Sequence, residues 1–320
     1  MSIKIVVTGA SGILGSAIFN ALKKFEQCHV IGLAHSRPSP ELVQLDILDT
    51  ERLEVFLKEQ RPDWVIHCAA ERRPDIAEKP ENSEWVEKLN TTLPATLSEL
   101  SLPASKWPGF TLLHISTDYV FNGEAPPSGY DVNDPVCPLQ SYGKSKAAAE
   151  EGVLKIRDNG GKSVVLRVPV LYGPTRENAD TAINVLIDVV QSSKAAKMDN
   201  YAIRYPTNVL DIADFIVKLI ESAFKAHNSP SGALPPILHF TSPKSYTKYD
   251  ICLILARILG KSHDHIEPET HPANTVNRPK DCHLSMRVVT DDLGLSEYKD
   301  EKSFRDLETW FNEWLSKETS

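Results

Sequence analysis

The chain is poor in the features that mark secreted and membrane proteins. Its 320 residues include five cysteines, which are scattered and form no C-x-x-C pair. No apolar run approaches the about 20 residues that a membrane helix needs. Residues 1–5 lead into an apolar strand without the pattern of a secretory leader. We therefore expect a protein of a reducing compartment, most simply the cytoplasm, with no membrane partner.

Positive charge is also in deficit. The 35 Lys and Arg residues are outnumbered by 43 Asp and Glu residues, which gives a net charge of -8. A general nucleic-acid binder needs a basic surface, so we expect no nucleic-acid partner. Hydrophobic residues make up 41% of the chain and charged residues 24%, which is typical of a globular protein and excludes a wholly disordered, collagen-like or coiled-coil chain.

The first two-thirds of the chain alternates short apolar strands with amphipathic helices. Strands are predicted at 4–8, 29–34, 43–45, 64–68, 111–116 and 163–168. Helices are predicted at 12–24, 51–59 and 141–157, and the stretch 81–100 is predicted to be mostly helical. This alternation is typical of βαβ units, so we predict an α/β fold with a doubly wound parallel sheet of the Rossmann type.

The pattern loosens after about residue 172, where we predict a smaller α+β lobe over 173–320 that is interleaved with the domain formed by 1–172. Helices are predicted at 179–192, 211–226, 247–259 and 303–315, with a strand at 237–240. The last helix carries an apolar stripe of Phe304, Leu307, Trp310, Phe311 and Trp314. The stripe favours packing on the protein's own core, and binding of a partner is the alternative.

A glycine-rich segment, TGASGILG, follows the first strand and opens the first helix. Gly9 permits a tight turn, Gly12 lets the backbone approach a pyrophosphate, and Gly15 lets the helix pack closely on the sheet. The helix N-terminus adds backbone N–H groups and the positive end of the helix dipole. We therefore predict a dinucleotide site in the first domain that also includes Ser11, Ile13 and Leu14, whereas the alternative is a tight turn without a ligand.

The end of the second strand indicates which dinucleotide binds. An NAD-binding fold places Asp or Glu near this point, whereas Ser36 and Arg37 suit a 2′-phosphate. NADP(H) is therefore favoured over NAD(H), and a solvated loop charge is the alternative for Arg37. Asp46 and Ile47 follow the third strand and are placed to contact the adenine, although Asp46 could equally be a turn residue.

A Y-x-x-x-K pair, Tyr142 and Lys146, opens the helix predicted at 141–157. Residues four apart share one face of a helix, so the ammonium of Lys146 is expected beside the phenol of Tyr142. A neighbouring cation lowers the pKa of a phenol, which can then exchange a proton with a carbonyl oxygen. Lys146 could also hold the nicotinamide ribose. The alternative is a surface helix with a half-buried tyrosine.

Two further segments lie at carboxyl ends of predicted strands, the edge at which open α/β sheets bind ligands. Thr117 follows the fifth strand, and its hydroxyl is our candidate to polarise the same carbonyl, since Ser116 would point the other way. Cys68, Ala69 and Ala70 follow the fourth strand, and their small side chains suit contact with the cofactor.

These segments together resemble the extended short-chain dehydrogenase/reductase superfamily, and within it proteins like dTDP-4-dehydrorhamnose reductase. The matching segments are TGASGILG (8–15), STDYVFNG (116–123), YGKSK (142–146), RVPVLYG (167–173) and RPKDCHLSM (278–286). The resemblance implies a catalytic triad of Thr117, Tyr142 and Lys146, and NADPH as reductant of a 4-keto nucleotide sugar. It also implies that Pro169 belongs to the cofactor site.

A narrower resemblance links the chain to the regulatory beta subunit of methionine adenosyltransferase. It rests on HCAAERRPD (67–75), YVFN (119–122), RYPT (204–207) and TKY (247–249), and AAERRPD (69–75) is its most specific part. This resemblance implies an NADP(H)-binding protein that modulates a catalytic subunit making S-adenosylmethionine, with Arg72 and Arg73 at the mouth of the cofactor cleft.

The function therefore has two main candidates, a regulatory subunit and a ketoreductase acting on a nucleotide sugar. A third candidate, a redox-sensing scaffold, needs only the cofactor site.

Overall fold

The computed structural model describes residues 2–37, 39–77, 79–103, 107–226, 234–271 and 279–318. Backbone contacts divide the chain into two units. Unit 1 comprises 1–116, 141–167 and 212–238, and unit 2 comprises 117–140, 168–211 and 239–320. The chain thus passes between the units several times, and whether the cofactor-binding part ends near residue 172 stays a prediction.

Unit 1 is built on a sheet that has seven strands within the described residues, in the order β10-β6-β5-β4-β1-β2-β3. The strands are β1 (Ile3–Thr8), β2 (Cys28–Ala34), β3 (Leu42–Gln44), β4 (Trp64–His67), β5 (Thr111–Thr117), β6 (Lys162–Val168) and β10 (Ile237–His239). The predicted doubly wound parallel sheet is confirmed. The strand predicted at 237–240 forms the edge of this sheet, beside β6.

The strand order places a topological switch point between β1 and β4. The chain runs from β1 outward through β2 to β3 and then returns to β4 on the other side of β1. In the register of the sheet, Thr8 lies beside His67, and His67 lies beside His114. Ligands of open α/β sheets bind at the carboxyl ends of the strands at such a point, which is where the glycine-rich segment begins.

Helices cover the sheet of unit 1 because each carries an apolar face. They are α1 (Ile13–Lys23), α2 (Thr50–Gln60), α3 (Pro74–Ala77), α4 (Ser83–Glu87), α5 (Leu93–Leu100), α6 (Ser141–Lys155) and most of α8 (Val209–Ala226). One core cluster joins Val6 and Val65 of the sheet to Leu53 and Leu57 of α2 and Leu97 of α5, all of them fully or almost fully buried.

The mostly helical stretch predicted over 81–100 is confirmed, but it is not one continuous α-helix. A 3-10 turn at Pro80–Asn82 leads into α4, a π-helical turn follows at Lys88–Thr92, and α5 comes next. Pro94 has no N–H to donate to the carbonyl of Asn90 four residues earlier. The wider turn directly before α5 accommodates that missing bond.

Unit 2 contains short strands and, among the described residues, three α-helices that lie wholly within it. The strands are β7 (Leu171–Tyr172), β8 (Ala196–Asp199), β9 (Thr207–Asn208) and β11 (Ile266–Glu269). The helices are α7 (Leu186–Gln191), α9 (Lys248–Leu259) and α10 (Leu307–Glu318). Parallel pairs join β7 to β9 and β8 to β11. None of the four short strands was predicted, because segments of two to four residues carry little periodicity.

Two helices of unit 2 begin later in the chain than predicted. The Thr181 hydroxyl accepts hydrogen bonds from the backbone N–H groups of Ile183 and Asn184, and the helix predicted at 179–192 is regular only in α7. The helix predicted at 303–315 begins at Leu307. Asp306, directly before it, accepts a hydrogen bond from the N–H of Thr309 and so caps the helix.

The apolar stripe of the last helix packs on the protein itself, as the favoured interpretation predicted. Leu307 and Phe311 are buried in the core of unit 2, and Trp310 and Trp314 pack against that core. The ring of Phe311 stacks on that of Tyr172 with centroids 5.6 Å apart. Among the described residues, no helix is both long enough and apolar enough to cross a membrane.

Candidate functional site

The glycine-rich turn after β1 requires glycine for two separate reasons. Gly9 has a φ of +66°, and a Cβ there would lie 2.8 Å from the backbone nitrogen of Ala69. A Cβ on Gly15 would lie 2.2 Å from the carbonyl oxygen of Gly9. The loop, the segment after β4 and the start of α1 are therefore packed backbone against backbone, which leaves a cradle lined by main-chain atoms.

The N-terminus of α1 supplies the polar groups of this cradle. Gly12 is the extended N-cap residue, and its carbonyl oxygen accepts the first helical hydrogen bond from Ser16, with a length of 2.9 Å. The first N–H groups of a helix have no partner within it, so those of Ile13, Leu14 and Gly15 are available to an anion. Leu14 is buried and Ser11 is half-buried. A pyrophosphate fits this arrangement, because it is bound by main-chain N–H groups at a helix start.

The residues predicted to select the 2′-phosphate lie at the surface. Ser36 and Arg37 are exposed in the turn after β2. Asp46 forms a turn in which its Oδ1 accepts a hydrogen bond of 3.0 Å from the N–H of Leu48, while its Oδ2 lies 4.0 Å from Nε2 of His35. Ile47 is buried in the core of unit 1. Asp46 therefore has the turn role that we named as its alternative, and the adenine contact stays a prediction.

The segment after β4 is held by a residue that sequence analysis missed. Cys68, Ala69 and Ala70 are half-buried. Next to them, Glu71 donates its backbone N–H to Oδ1 of Asn90 at 2.9 Å, and the amide of Asn90 donates to the carbonyl of Glu71 at 2.8 Å. The buried amide of Asn90 thus binds both the N–H and the carbonyl of Glu71, as the backbone of a neighbouring strand would. A polar residue in the middle of a predicted amphipathic helix was the available signal.

Of the two predicted arginines, Arg73 is paired with a buried carboxylate. Its Nε donates to Oε1 of Glu71 at 2.9 Å and its Nη2 donates to Oε2 at 2.7 Å. Burial raises the pKa of Glu71, but the hydrogen bonds and charge of Arg73 outweigh it and hold that pKa below its usual value. Arg72 is exposed, and its place at the mouth of a cofactor cleft stays a prediction.

The first turns of α6 carry the Y-x-x-x-K pair on one face, with Tyr142 half-buried and Lys146 buried. The ammonium of Lys146 lies 3.0 Å from Nε2 of His114 and donates to the carbonyl oxygen of Ile115 at 2.6 Å. Burial lowers the pKa of Lys146 to about 8, against an opposing effect of Glu150. Sequence analysis had not selected His114.

Two buried histidines, His67 and His114, lie side by side next to Lys146. The rings of His67 and His114 stack with centroids 5.5 Å apart, and Nδ1 of His67 is 2.7 Å from Oγ1 of Thr8. Burial and the charge of Lys146 lower the pKa of His67 to about 3 and hold that of His114 well below its usual value. Although His67 is buried, its Nε2 lacks a hydrogen-bond partner among the described residues.

A buried ion pair fixes the next turn of α6. Glu150 pairs with Arg167 of β6 through an Nη2–Oε2 contact of 2.7 Å, and their side chains are 5% and 3% exposed. The hydroxyl of Ser116 on β5 also donates to Glu150. Ser116 and His114 share one face of β5, so two contacts between side chains anchor α6 to that strand, in addition to the bond from Lys146 to the carbonyl oxygen of Ile115. Ser116 faces α6, opposite to Thr117, as predicted.

Thr117 and Pro169 are the predicted site residues that fall in unit 2. The hydroxyl of Thr117 donates to Oδ1 of Asp118 at 3.1 Å and accepts from the N–H of Tyr119 at 3.3 Å. Burial raises the pKa of Asp118 to about 7, although Arg204 acts in the opposite direction.

Pro169 is buried just beyond β6. Arg278, which contributed to the resemblance, lies outside the described residues.

A known protein family matches the part of the chain that carries all of these site segments. The family model of the RmlD substrate binding domain covers residues 3–306. This chain belongs to that family. The RmlD-type sheet and helices are shared with the dTDP-4-dehydrorhamnose reductase of Bacillus anthracis, solved in complex with NADP. That structure has a TM-score of 0.74 and 24% identity and covers 98% of this chain and 99% of its own.

Relatives within the RmlD-type family differ in what they are named for. Methionine adenosyltransferase 2 subunit beta of Xenopus tropicalis is 35% identical over 276 residues, which is 86% of this chain and 78% of that protein. A probable low-salt glycan biosynthesis reductase of Haloferax volcanii is 29% identical over 321 residues, or 97% of this chain and 99% of that protein. The predicted membership is confirmed at this level.

Proposed function

We propose that this chain is an NADP(H)-binding regulatory subunit of methionine adenosyltransferase, which modulates the synthesis of S-adenosylmethionine by a separate catalytic subunit. The observation that carries the proposal is the 35% identity to a protein named as subunit beta of that enzyme, over 86% of this chain. The segment around Glu71 and Arg73 supports it, because the sequence resemblance to the beta subunit is most specific there and the buried carboxylate of Glu71 holds the exposed guanidinium of Arg73 by two hydrogen bonds.

The chain's own residues account for cofactor binding as follows. The N–H groups at the start of α1 would bind the pyrophosphate, and Ser36 and Arg37 would bind the 2′-phosphate, which favours NADP(H). Tyr142 and Lys146 would donate hydrogen bonds to the nicotinamide ribose. When bound, the nicotinamide ring of such a cofactor supplies or accepts a hydride. Regulation needs only the binding, since a bound cofactor stabilises the folded form that recognises the catalytic subunit.

A second function is a ketoreductase that acts on a nucleotide sugar. The observation in its favour is that Thr117, Tyr142 and Lys146 are all present, as in the predicted reductase triad. In that function Tyr142 would donate its phenolic proton to the carbonyl oxygen, and Lys146 would stabilise the phenolate that results. Thr117 now donates its hydroxyl proton to Asp118, so it would have to release this carboxylate before it could polarise a substrate.

The deciding experiment is a calorimetric titration of this protein, with NADPH present, into the catalytic subunit of methionine adenosyltransferase from the same organism. We expect saturable binding at micromolar or tighter affinity, together with a changed rate of S-adenosylmethionine formation. A parallel titration without NADPH measures how far the cofactor contributes. Absence of heat and of co-elution would contradict the regulatory function, and a screen of nucleotide keto-sugars for NADPH oxidation would then test the reductase.

A further inference from the structure

A row of polar side chains crosses the sheet of unit 1 from the phosphate loop to α6. Thr8, the residue before Gly9, is the register partner of His67, and His67 is the register partner of His114. Oγ1 of Thr8 and Nδ1 of His67 are 2.7 Å apart, and the two imidazole rings stack. The row ends where Nε2 of His114 meets the ammonium of Lys146.

The direction of the last hydrogen bond follows from the chemistry of its two groups. An ammonium has three N–H donors and accepts nothing, so Nε2 of His114 must be the acceptor. The imidazole is then neutral with its proton on Nδ1. The carbonyl oxygen of Ile115 accepts the second N–H of Lys146. These two acceptors lie on adjacent residues of β5, and together they leave one N–H of the ammonium for another partner.

We propose that His114 is a positioning residue for Lys146, which holds the ammonium so that its third N–H donates to a ribose hydroxyl of the nicotinamide dinucleotide. This inference rests on the cofactor binding proposed above and adds a residue to it. An apolar side chain at position 114 would leave the buried ammonium with a single protein acceptor and freedom to rotate. A buried charge that loses a hydrogen bond is destabilised relative to its neutral form.

The groups around Lys146 determine how binding depends on pH. Burial lowers its pKa to about 8, while the carboxylate of Glu150, one turn further along α6, favours the charged form. Burial raises the pKa of the Cys68 thiol after β4 to about 12, so this neighbour is uncharged near pH 8. Glu150 is itself paired with Arg167 of β6. The imidazoles of His67 and His114 remain neutral because burial lowers their pKa values. The affinity for NADPH should therefore fall as the pH rises through about 8, when the ammonium becomes an amine.

Three substitutions of His114 separate positioning from packing. His114→Leu removes the acceptor, and His114→Asn keeps a polar group that is too short to reach Lys146. His114→Gln restores an acceptor at about the position of Nε2. We expect Leu and Asn to weaken NADPH binding at pH 7 by about tenfold or more, because a hydrogen bond to a charged group is lost. Both should also move the pH midpoint of binding downward, and Gln should restore both quantities.

The measurement is a fluorescence titration with NADPH between pH 6 and pH 9, with thermal unfolding of every variant. If His114→Leu does not fold, the Asn and Gln pair decides, since both are amides that differ by one methylene. Cys252→Ala, a buried substitution in unit 2, controls for lost stability alone. Equal affinities and midpoints for Asn, Gln and the unchanged protein would overturn the inference. Absence of NADPH binding by the unchanged protein at every pH would instead contradict the proposed function.

Discussion

Glu150 and Arg167 join α6 to β6 through a carboxylate and a guanidinium that are both almost completely buried. Nε of Arg167 lies 3.1 Å from each oxygen of Glu150, and Nη2 adds a contact of 2.7 Å. Breaking such a pair leaves an uncompensated buried charge, which is far more costly than the loss of an exposed ion pair.

Glu150→Gln should therefore lower the free energy of unfolding by about 3–5 kcal/mol. The matched control is Glu54→Gln on α2, where Glu54 pairs with Lys58 at the surface, and there we expect a loss within about 0.5 kcal/mol. Urea unfolding followed by circular dichroism measures both. Similar losses for the two variants would show that burial of the Glu150–Arg167 pair does not matter to stability.

The glycine-rich loop can be tested by two alanine substitutions at left-handed positions. Gly9 has a φ of +66° with backbone atoms close to the Cβ position, whereas Gly160 has a φ of +80° with nothing within 4 Å. Gly160→Ala should cost only the left-handed strain of about 1–2 kcal/mol. Gly9→Ala should cost about 1–3 kcal/mol more through overpacking and should abolish NADPH binding, as measured by thermal unfolding and titration. A Gly9 variant that binds NADPH normally would rule out the loop as the phosphate site.

Arg37→Ala tests the preference for the 2′-phosphate. Removing an exposed cation that binds this group should weaken NADPH about tenfold or more, because a charge-assisted hydrogen bond is lost, and should leave NADH unchanged. Fluorescence titration with both nucleotides gives the ratio, and Lys58→Ala on the exposed side of α2 controls for a general change of charge. An equal loss for NADPH and NADH would be inconsistent with the assignment of Arg37.

Tyr142→Phe separates the two proposed functions, since it removes only the phenolic hydroxyl. Any reductase turnover should fall below detection, because no proton donor remains for the carbonyl oxygen. Stimulation of methionine adenosyltransferase should stay within about twofold, since a single neutral hydrogen bond contributes little to binding. Both rates are measured with the same protein preparation. Loss of stimulation together with turnover would argue against a purely regulatory role.

The buried histidines predict an acid-sensitive stability. Because the pKa of His67 is about 3 in the folded chain, its imidazole protonates only in the unfolded chain between about pH 6.5 and pH 3. Stability contributed by the neutral ring is present above pH 6.5 and is lost as the pH falls, by about 2 kcal/mol at pH 5. His67→Asn should flatten the change in unfolding free energy between pH 8 and pH 5, and the exposed His271→Asn should not. Equal slopes in both variants would disprove the assignment.

The fold was predictable because its signals are local. Short apolar strands, helices of regular period and the glycines from Gly9 to Gly15 each indicate their structure within a few residues. The doubly wound parallel sheet followed from that alternation. The short strands of unit 2 were not predicted, because a segment of two residues such as Leu171 and Tyr172 is too short to show the alternation of apolar and polar residues that marks a strand.

The interior of the candidate site was not predictable, because its contacts join residues that are far apart in the chain. Asn90 binds the backbone of Glu71, His114 binds Lys146, and Arg167 binds Glu150. Each of these residues stands in a stretch that reads as an ordinary strand or helix. Their roles arise from the register of β4, β5 and β6 against α6, which a single sequence does not specify.

Two contacts between side chains fix α6 on β5 at two points, in addition to the bond from Lys146 to the carbonyl oxygen of Ile115. His114 and Ser116 are two residues apart on the strand, and their partners Lys146 and Glu150 are four apart on the helix, so the two repeats coincide over one turn. A single contact would let α6 rotate about it, but two contacts prevent both rotation and sliding of the helix on the strand. Insertions or deletions should therefore be tolerated in the loops that flank α6, and a single residue gained or lost between Tyr142 and Glu150 should dislodge the tyrosine from its place on the protein.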